Sequence, residues 1–230
     1  MITEKQQQEF LDFFKQCRQN YIPVVRPQTA HLLCDLVAKQ NPKTILELGT
    51  AVGYSGTLML LSSMQSKLTT VDINGDFCKK AEQTFKKYGV FDRVKIVNDD
   101  ALNFLQTTSQ TFDFIFVDGP KGQYIKYYPY LKKLVNIGGI VVCDDVLYFG
   151  MVQDDSKVIH KKITIVRNLR EFLSTAQNDM CFDYKLLQIE DGVLVLTKKH
   201  SWDLLSQQNY WYLVSNIFNF FTFCLKYCKI

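Results

Sequence analysis

The chain has 230 residues, 47% hydrophobic and 22% charged, which excludes an intrinsically disordered protein and is enough for one domain with a sizeable core. Its formal net charge of +4 permits an anionic partner such as RNA but does not require one. A polar N-terminus and seven scattered cysteines without a Cys-x-x-Cys pair argue against a secreted, disulfide-bonded protein and against a zinc site, so we expect a cytoplasmic protein with reduced thiols.

Apolar periodicity places helices and strands in alternation along the chain. The predicted helices cover residues 3–19, 27–40, 54–64, 75–88, 100–107, 122–136 and 157–176. The predicted strands cover residues 44–48, 67–72, 93–97, 112–118 and 138–145, followed by two runs at 182–189 and 192–199. Strands that alternate with helices of this length indicate a parallel sheet covered on both faces. Asp191-Gly192 between the last two runs is a hairpin signal, so the sheet should end antiparallel.

The first strand ends in a loop that contains two glycines. Glu47 closes the apolar run, and Gly49 and Gly53 follow it at a Gly-x-x-x-Gly spacing. Dinucleotide-binding folds use Gly-x-Gly-x-x-Gly to seat a pyrophosphate, so this spacing disfavours a Rossmann oxidoreductase. A carboxylate at the strand end repels phosphate and suits a cation, and S-adenosylmethionine carries an ammonium and a sulfonium without a phosphate. The loop is therefore predicted to bind S-adenosylmethionine.

Carboxylates follow all five predicted parallel strands, at the edge of the sheet where ligands of such folds collect. Asp72 stands about 20 residues beyond the glycine loop, where nucleotide-binding folds place a ribose-binding carboxylate. The alternative is that Asp72 caps the helix that follows it. Asp100, before Ala101, either caps the next helix or lies near the adenine.

Asp118, Asp144 and Asp145 follow two strands that should be neighbours, and no arginine lies beside them in the sequence. Clustered carboxylates repel one another unless a cation lies between them, and Mg²⁺ prefers oxygen ligands. The three residues are therefore predicted to bind Mg²⁺; the alternative is that they face solvent or cap helices. Lys121 is predicted to act as a base, with a pKa lowered by the metal and the sulfonium. The alternative is a solvated loop lysine.

These motifs resemble the cation-dependent O-methyltransferases, the family of catechol and caffeoyl-CoA O-methyltransferases, from about Tyr21 to Lys199. The resemblance implies an α/β, Rossmann-like class I methyltransferase fold, with a mostly parallel seven-stranded sheet, helices on both faces and a final antiparallel hairpin. It implies methyl transfer from S-adenosylmethionine to an oxygen, with Asp118, Asp144 and Asp145 as Mg²⁺ ligands and Lys121 as the catalytic residue. The implied cofactor contacts are Glu47, Gly49, Gly53, Tyr54, Ser55, Asp72, Asp100, Ala101 and Asp118.

The chain departs from this family at one metal-ligand position, where Asp145 stands in place of the usual asparagine. The added negative charge should tighten metal binding and leave less positive charge to acidify the substrate hydroxyl. An oxygen ligand is retained, so we expect the metal site to persist.

Residues 118–124 and 144–150 most resemble a bacterial subgroup that includes the tRNA 5-hydroxyuridine methyltransferase. This resemblance predicts a tRNA partner, methylated at the wobble position to 5-methoxyuridine, and the family suggests a homodimer. Basic pairs such as Lys161-Lys162 are compatible with RNA but equally with solvated helix faces. The alternative acceptor is a small catechol-like or phenolic acyl-thioester compound. An alternative of another class is a non-catalytic, cofactor-binding regulatory protein.

The resemblance divides the chain into a methyltransferase domain, residues 1–200, and an aromatic segment, residues 201–230. Apolar residues recur at helical spacing in this segment, which predicts an amphipathic helix. We expect it to pack on the domain or across a dimer. Peripheral membrane contact and an irregular tail are the alternatives, and several asparagines disfavour a membrane span.

Overall fold

The computed structural model describes residues 4–200. Its helices are α1 (Glu4–Gln19), α2 (Pro27–Gln40), α3 (Tyr54–Ser62), α4 (Gly75–Lys87), α5 (Ala101–Thr107), α6 (Tyr124–Leu134) and α7 (Ile163–Gln177). Its strands are β1 (Thr44–Leu48), β2 (Lys67–Asp72), β3 (Val94–Asn98), β4 (Phe112–Val117), β5 (Val135–Cys143), β6 (Phe182–Leu187) and β7 (Val193–Lys198). Every helix and strand predicted for residues 3–199 is present. The segment 201–230 and its predicted helix lie outside the described residues.

The strands form one sheet in the order β3-β2-β1-β4-β5-β7-β6. The five strands β1 to β5 pair in parallel, whereas β7 pairs antiparallel with both β5 and β6. This confirms the α/β, Rossmann-like fold with a final antiparallel hairpin. Because β1 lies between β2 and β4, and β5 lies beside β4, the carboxyl ends of all four strands meet at one edge of the sheet.

Two apolar layers hold the sheet between its helices. Along β4, Phe114 and Phe116 pack towards the layer built with α1 to α4, and Ile115 and Val117 pack towards α6 and α7. All four side chains are fully buried, as expected for a central parallel strand covered on both faces. This packing fixes the strand ends that carry the candidate site.

Two predicted boundaries differ from the observed ones by more than two residues. β5 begins at Val135 rather than at residue 138, because a bulge in its pairing with β4 accommodates Gly138 at a φ of +74°. α7 begins at Ile163 rather than at residue 157, because 3₁₀ turns at Asp155–Lys157 and His160–Lys162 precede it. Among residues 4–200, none of the helices combines the length and apolar character that a bilayer crossing requires.

Candidate active site

The glycine loop after β1 runs directly against the end of β4. Gly49 has a φ of +106°, and a Cβ atom added to it would lie 2.4 Å from the backbone oxygen of Asp118. A side chain at position 49 is therefore excluded twice, by backbone conformation and by space. Gly53, at a φ of +77°, precedes α3 and packs against Ala81 and Phe85. The predicted cofactor loop and the first predicted metal ligand are thus in contact.

Glu47 is completely buried below this loop. Its Oε1 accepts a hydrogen bond from Ser55 at 2.5 Å and its Oε2 accepts one from Thr70 at 2.6 Å. Burial raises the pKa of the Glu47 carboxyl to about 7, an effect that the two hydroxyl donors partly oppose. The structure thus gives Glu47 and Ser55 a shared role in anchoring the loop, and their contacts with a cofactor stay predictions.

Asp72 accepts hydrogen bonds from the backbone of two segments, the glycine loop and the turn that follows β2. Its Oδ2 accepts from the Ala51 backbone nitrogen and its Oδ1 from the Asn74 backbone nitrogen, each at 2.9 Å. The alternative that Asp72 caps α4 is wrong, because the Asn74 side chain is the cap and accepts from the nitrogens of Asp76 and Phe77. The predicted ribose contact of Asp72 stays a prediction.

Two further predicted cofactor contacts also have structural roles. Asp100 caps α5, accepting from the backbone nitrogens of Leu102 and Asn103 at 2.8 and 3.1 Å, and Ala101 is the first residue of that helix. The ring of Tyr54 is buried among three phenylalanines of α1, Phe10, Phe13 and Phe14. Capping by Asp100 is confirmed, while the adenine contact and the contacts of Tyr54 and Ala101 stay predictions.

The three aspartates after β4 and β5 are gathered as predicted. One carboxylate oxygen from each of Asp118, Asp144 and Asp145 lies within 4.8 Å of the others. Asp144 is 3% exposed, and burial, together with the charges of Asp118 and Asp145, raises the pKa of its carboxyl to about 7. A set of mutually repelling carboxylates, one buried and two half-buried, all hard oxygen donors, fits the ligand preference of Mg²⁺.

Lys121 lies inside this carboxylate cluster. Its Nζ is 2.5 Å from Oδ1 of Asp118 and 3.7 Å from Oδ2 of Asp145. Burial by itself lowers the pKa of Lys121, but Tyr124, Asp118 and Asp145 together raise it well above its ordinary value. The predicted lowering assumed a bound metal and a sulfonium beside Lys121, so it stays a prediction.

An arginine that sequence reasoning missed completes the cluster. Nη2 of Arg26 is 2.9 Å from Oδ1 of Asp145 and 3.9 Å from Oδ2 of Asp191. No arginine is adjacent to the aspartates in the sequence, and the fold brings Arg26 to them across 119 residues. One feature of the sequence could have indicated that residue 26 has a special role. Arg26 stands directly before Pro27 at the start of α2, where Ser, Thr, Asp or Asn is the usual cap.

The hairpin between β6 and β7 supplies the N-terminal cap of α2 that residue 26 does not provide. Glu190 accepts hydrogen bonds from the backbone nitrogens of Gln28 and Thr29 and from the Thr29 hydroxyl, at 3.1, 3.2 and 2.7 Å. The neighbouring Asp191 accepts from the Phe149 backbone nitrogen with both carboxylate oxygens, at 2.6 and 2.8 Å. The hairpin therefore ties the start of α2 to the loop that follows β5.

That loop carries strained backbone and exposed aromatic surface beside the cluster. Asp145, Tyr148 and Phe149 all have positive φ, at +55°, +48° and +58°, which non-glycine residues rarely adopt outside functional sites. Phe149 is 69% exposed, and Nζ of Lys162 lies 5.7 Å from the centre of the Tyr148 ring. An aromatic face next to a cation site can stack on a planar acceptor.

Comparison with known proteins identifies the family to which this chain is similar. A family model described as O-methyltransferase matches residues 5–199. A caffeoyl-CoA O-methyltransferase of Stellaria longipes is 30% identical over 178 residues, which cover 73% of each chain. A tapetum-specific methyltransferase of Arabidopsis thaliana is 30% identical over 164 residues, covering 69% of this chain and 70% of that protein. The solved S-adenosylhomocysteine-bound methyltransferase of Podospora anserina superposes with a TM-score of 0.73 at 25% identity, covering 83% and 88% of the two chains.

Proposed function

This chain belongs to the O-methyltransferase family and is an S-adenosylmethionine-dependent O-methyltransferase, and from that premise we propose that it methylates a small phenolic hydroxyl with the help of Mg²⁺. The acceptor would be a catechol-like compound or a phenolic acyl thioester. The observation that carries the proposal is the contact between the glycine loop and the strand end bearing Asp118, where three carboxylates and Lys121 converge. Cofactor and acceptor sites at that edge would be adjacent, as methyl transfer requires.

The relatives give the small-phenol acceptor more support than the tRNA acceptor. The Stellaria longipes protein is named for caffeoyl-CoA, whose caffeoyl group carries a catechol on an acyl thioester. Two adjacent oxygens of a catechol can bind one divalent cation, which suits a site made of three carboxylates. A non-catalytic regulatory role finds no support, because Lys121 and all three aspartates are present and lie together.

In the mechanism that we propose, each residue of the cluster has a separate task. Asp118, Asp144 and Asp145 would hold Mg²⁺, which supplies a Lewis acid that lowers the pKa of an acceptor hydroxyl. Tyr124 and the carboxylates of Asp118 and Asp145 raise the pKa of Lys121, so a cation held by those carboxylates would oppose their effect, and Nζ would be the group that takes the acceptor's proton. Glu47 and Asp72 connect the cofactor loop to β2, and Gly49 lets it approach the end of β4, an arrangement that would hold donor and acceptor in line.

A tRNA acceptor is the second candidate, because of one local observation. Exposed Phe149 lies in the loop after β5, and the exposed Lys157 and Lys161 follow it along the chain. Unpaired bases stack on aromatic side chains and lysines bind phosphates, so this surface is compatible with an RNA loop. It is equally compatible with the nucleotide part of a coenzyme A thioester. The homodimer and the cytoplasmic location stay proposals, and light scattering would test the former.

The decisive experiment measures transfer of a labelled methyl group from S-adenosylmethionine, with Mg²⁺ or with chelator. Acceptors are a simple catechol, caffeoyl-CoA and tRNA carrying 5-hydroxyuridine. We expect Mg²⁺-dependent label in a phenolic acceptor, lost in Asp118→Ala and Lys121→Ala and retained in Lys126→Ala, an exposed lysine on α6. Label in tRNA alone would replace the phenolic acceptor by RNA. Label that persists in chelator would refute the metal-assisted mechanism.

A further inference from the structure

Arg26 occupies the capping position of α2 without capping it. Its backbone is extended, at φ −75° and ψ 161°, and its side chain makes no hydrogen bond to the start of the helix. Glu190 caps α2 instead, through three hydrogen bonds from the opposite end of the sequence. Because Glu190 provides the cap, residue 26 need not be a short polar residue, and the long side chain of Arg26 can reach the aspartates.

The Asp145 carboxylate is held from two sides by two cations. Its Oδ1 accepts from Nη2 of Arg26 at 2.9 Å, and its Oδ2 faces Nζ of Lys121 at 3.7 Å. The backbone of Asp145 is in the left-handed region, and its nitrogen donates to Oδ1 of Asp144 at 2.8 Å. The two oxygens of Asp145 are therefore not equivalent, since Oδ1 is bound by Arg26 and Oδ2 lies beside Lys121.

From this geometry we propose that Arg26 is the charge partner of Asp145 in the cation site: it fixes Oδ1, presents Oδ2 to the cation and offsets one of the three negative charges. Arg26 is a positioning residue, because it acts through Asp145. The inference rests on the proposed function, since it assumes that Asp118, Asp144 and Asp145 hold a divalent cation.

The electrostatic consequence distinguishes this role from a purely structural one. Three uncompensated carboxylates attract a divalent cation more strongly than three carboxylates with an adjacent guanidinium, and they leave it a weaker Lewis acid. Removing the positive charge of Arg26 should therefore tighten cation binding while slowing turnover. Removing a residue that merely held the loop in place would loosen cation binding instead.

The test measures binding of Mn²⁺ alone by electron paramagnetic resonance, without cofactor or acceptor, so that it does not depend on activity. We expect Arg26→Gln to bind Mn²⁺ about threefold to tenfold more tightly than wild type, and Arg26→Lys, which keeps the charge, to stay within about twofold of it. Arg167→Gln, an exposed arginine on α7, is the matched control and should leave Mn²⁺ affinity unchanged. Far-ultraviolet circular dichroism confirms that each variant is folded.

The Asp145→Asn background gives a second, independent measurement. An amide cannot form the ion pair with Arg26, so only the direct repulsion between Arg26 and the cation remains, and Arg26→Gln should change Mn²⁺ affinity by a smaller factor there than in the wild type. Weaker or unchanged Mn²⁺ binding in Arg26→Gln, or an equal effect in both backgrounds, would overturn the inference and leave the proposed function intact. Absence of Mn²⁺ binding in the wild type would instead overturn the metal-assisted function, and the inference with it.

Discussion

Gly49 and Asp118 touch across the paired strands β1 and β4: an added Cβ on Gly49 would lie 2.4 Å from the Asp118 backbone oxygen and 2.9 Å from its carbonyl carbon. The contact joins the loop predicted to hold the methyl donor to the strand end predicted to hold the metal. A change at either residue should therefore alter both halves of the site.

Gly49→Ala should destabilise the fold and abolish cofactor binding, because the new methyl group meets backbone that cannot move independently of β4. Gly89→Ala is the matched control, since Gly89 also has positive φ, at +67°, but has open space around its added Cβ. We expect the control to lose about 1 kcal/mol of unfolding free energy from backbone strain alone, and Gly49→Ala to lose clearly more. Urea denaturation and calorimetric titration with S-adenosylhomocysteine measure both effects. Equal losses in the two variants would refute the role assigned to the contact.

Lys121→Met should slow methyl transfer by about 10² to 10⁴, the usual contribution of a positioned base. It should also lower the free energy of unfolding of the metal-free protein by about 3 kcal/mol, because Asp118 and Asp145 lose their buried cation. Mg²⁺ should raise the melting temperature of Lys121→Met more than that of the wild type, where the cation competes with the ammonium group. Lys126→Met, on the exposed side of α6, serves as the control. A Lys121→Met protein with full activity would exclude the base.

Glu47→Gln tests the buried carboxyl through the pH dependence of stability. Burial raises the folded-state pKa of Glu47 from 4.5 to about 7, so the protonated form is the favoured one. The stabilisation is complete below the unfolded pKa and is lost as the pH rises through the folded pKa, a difference of roughly 3 kcal/mol. Glutamine keeps the polar contacts without titrating.

The melting temperature of Glu47→Gln relative to wild type should therefore rise between about pH 5 and pH 8. Glu171→Gln, an exposed position on α7, should follow the wild-type profile. A constant difference between Glu47→Gln and wild type over that range would mean that Glu47 is ionised throughout.

Substitutions at Asp100 can distinguish its observed role as the cap of α5 from its predicted contact with the adenine. Asp100→Ser retains an acceptor for the nitrogens of Leu102 and Asn103, whereas Asp100→Ala removes it and should cost about 1 kcal/mol of stability. If Asp100 also binds the cofactor, both variants should weaken binding of S-adenosylhomocysteine although only the alanine variant is destabilised. Normal affinity in Asp100→Ser would restrict Asp100 to capping.

Sequence reasoning succeeded where neighbouring strands define the geometry. Asp118, Asp144 and Asp145 follow β4 and β5, two adjacent parallel strands, so alternation and apolar runs were sufficient to predict that they meet. It failed for Arg26 and Glu190, whose contacts span 119 and up to 162 residues. Ion pairs of this range leave no periodic pattern, and only the missing cap before Pro27 indicated that another segment serves α2.

The position of Lys121 was easier to predict than the groups that surround its ammonium group. The prediction counted the cations expected around the ammonium group, whereas its observed environment contains Asp118 and Asp145 within 3.7 Å. Tyr124, Asp118 and Asp145 together raise the pKa of Lys121 against the lowering effect of burial. The sequence identified the participants but not which of them pair with one another.

The capping of α2 by Glu190 has a consequence for how the protein is made. Synthesis proceeds from the N-terminus, so α2 and Arg26 leave the ribosome long before the hairpin that completes them. Until the chain has been extended past Asp191, the first turn of α2 has no cap from this hairpin and the loop after β5 has no anchor there. A nascent chain stopped within β6 would contain the three clustered aspartates and Lys121, yet would lack the hairpin contacts that hold α2 and the β5 loop together.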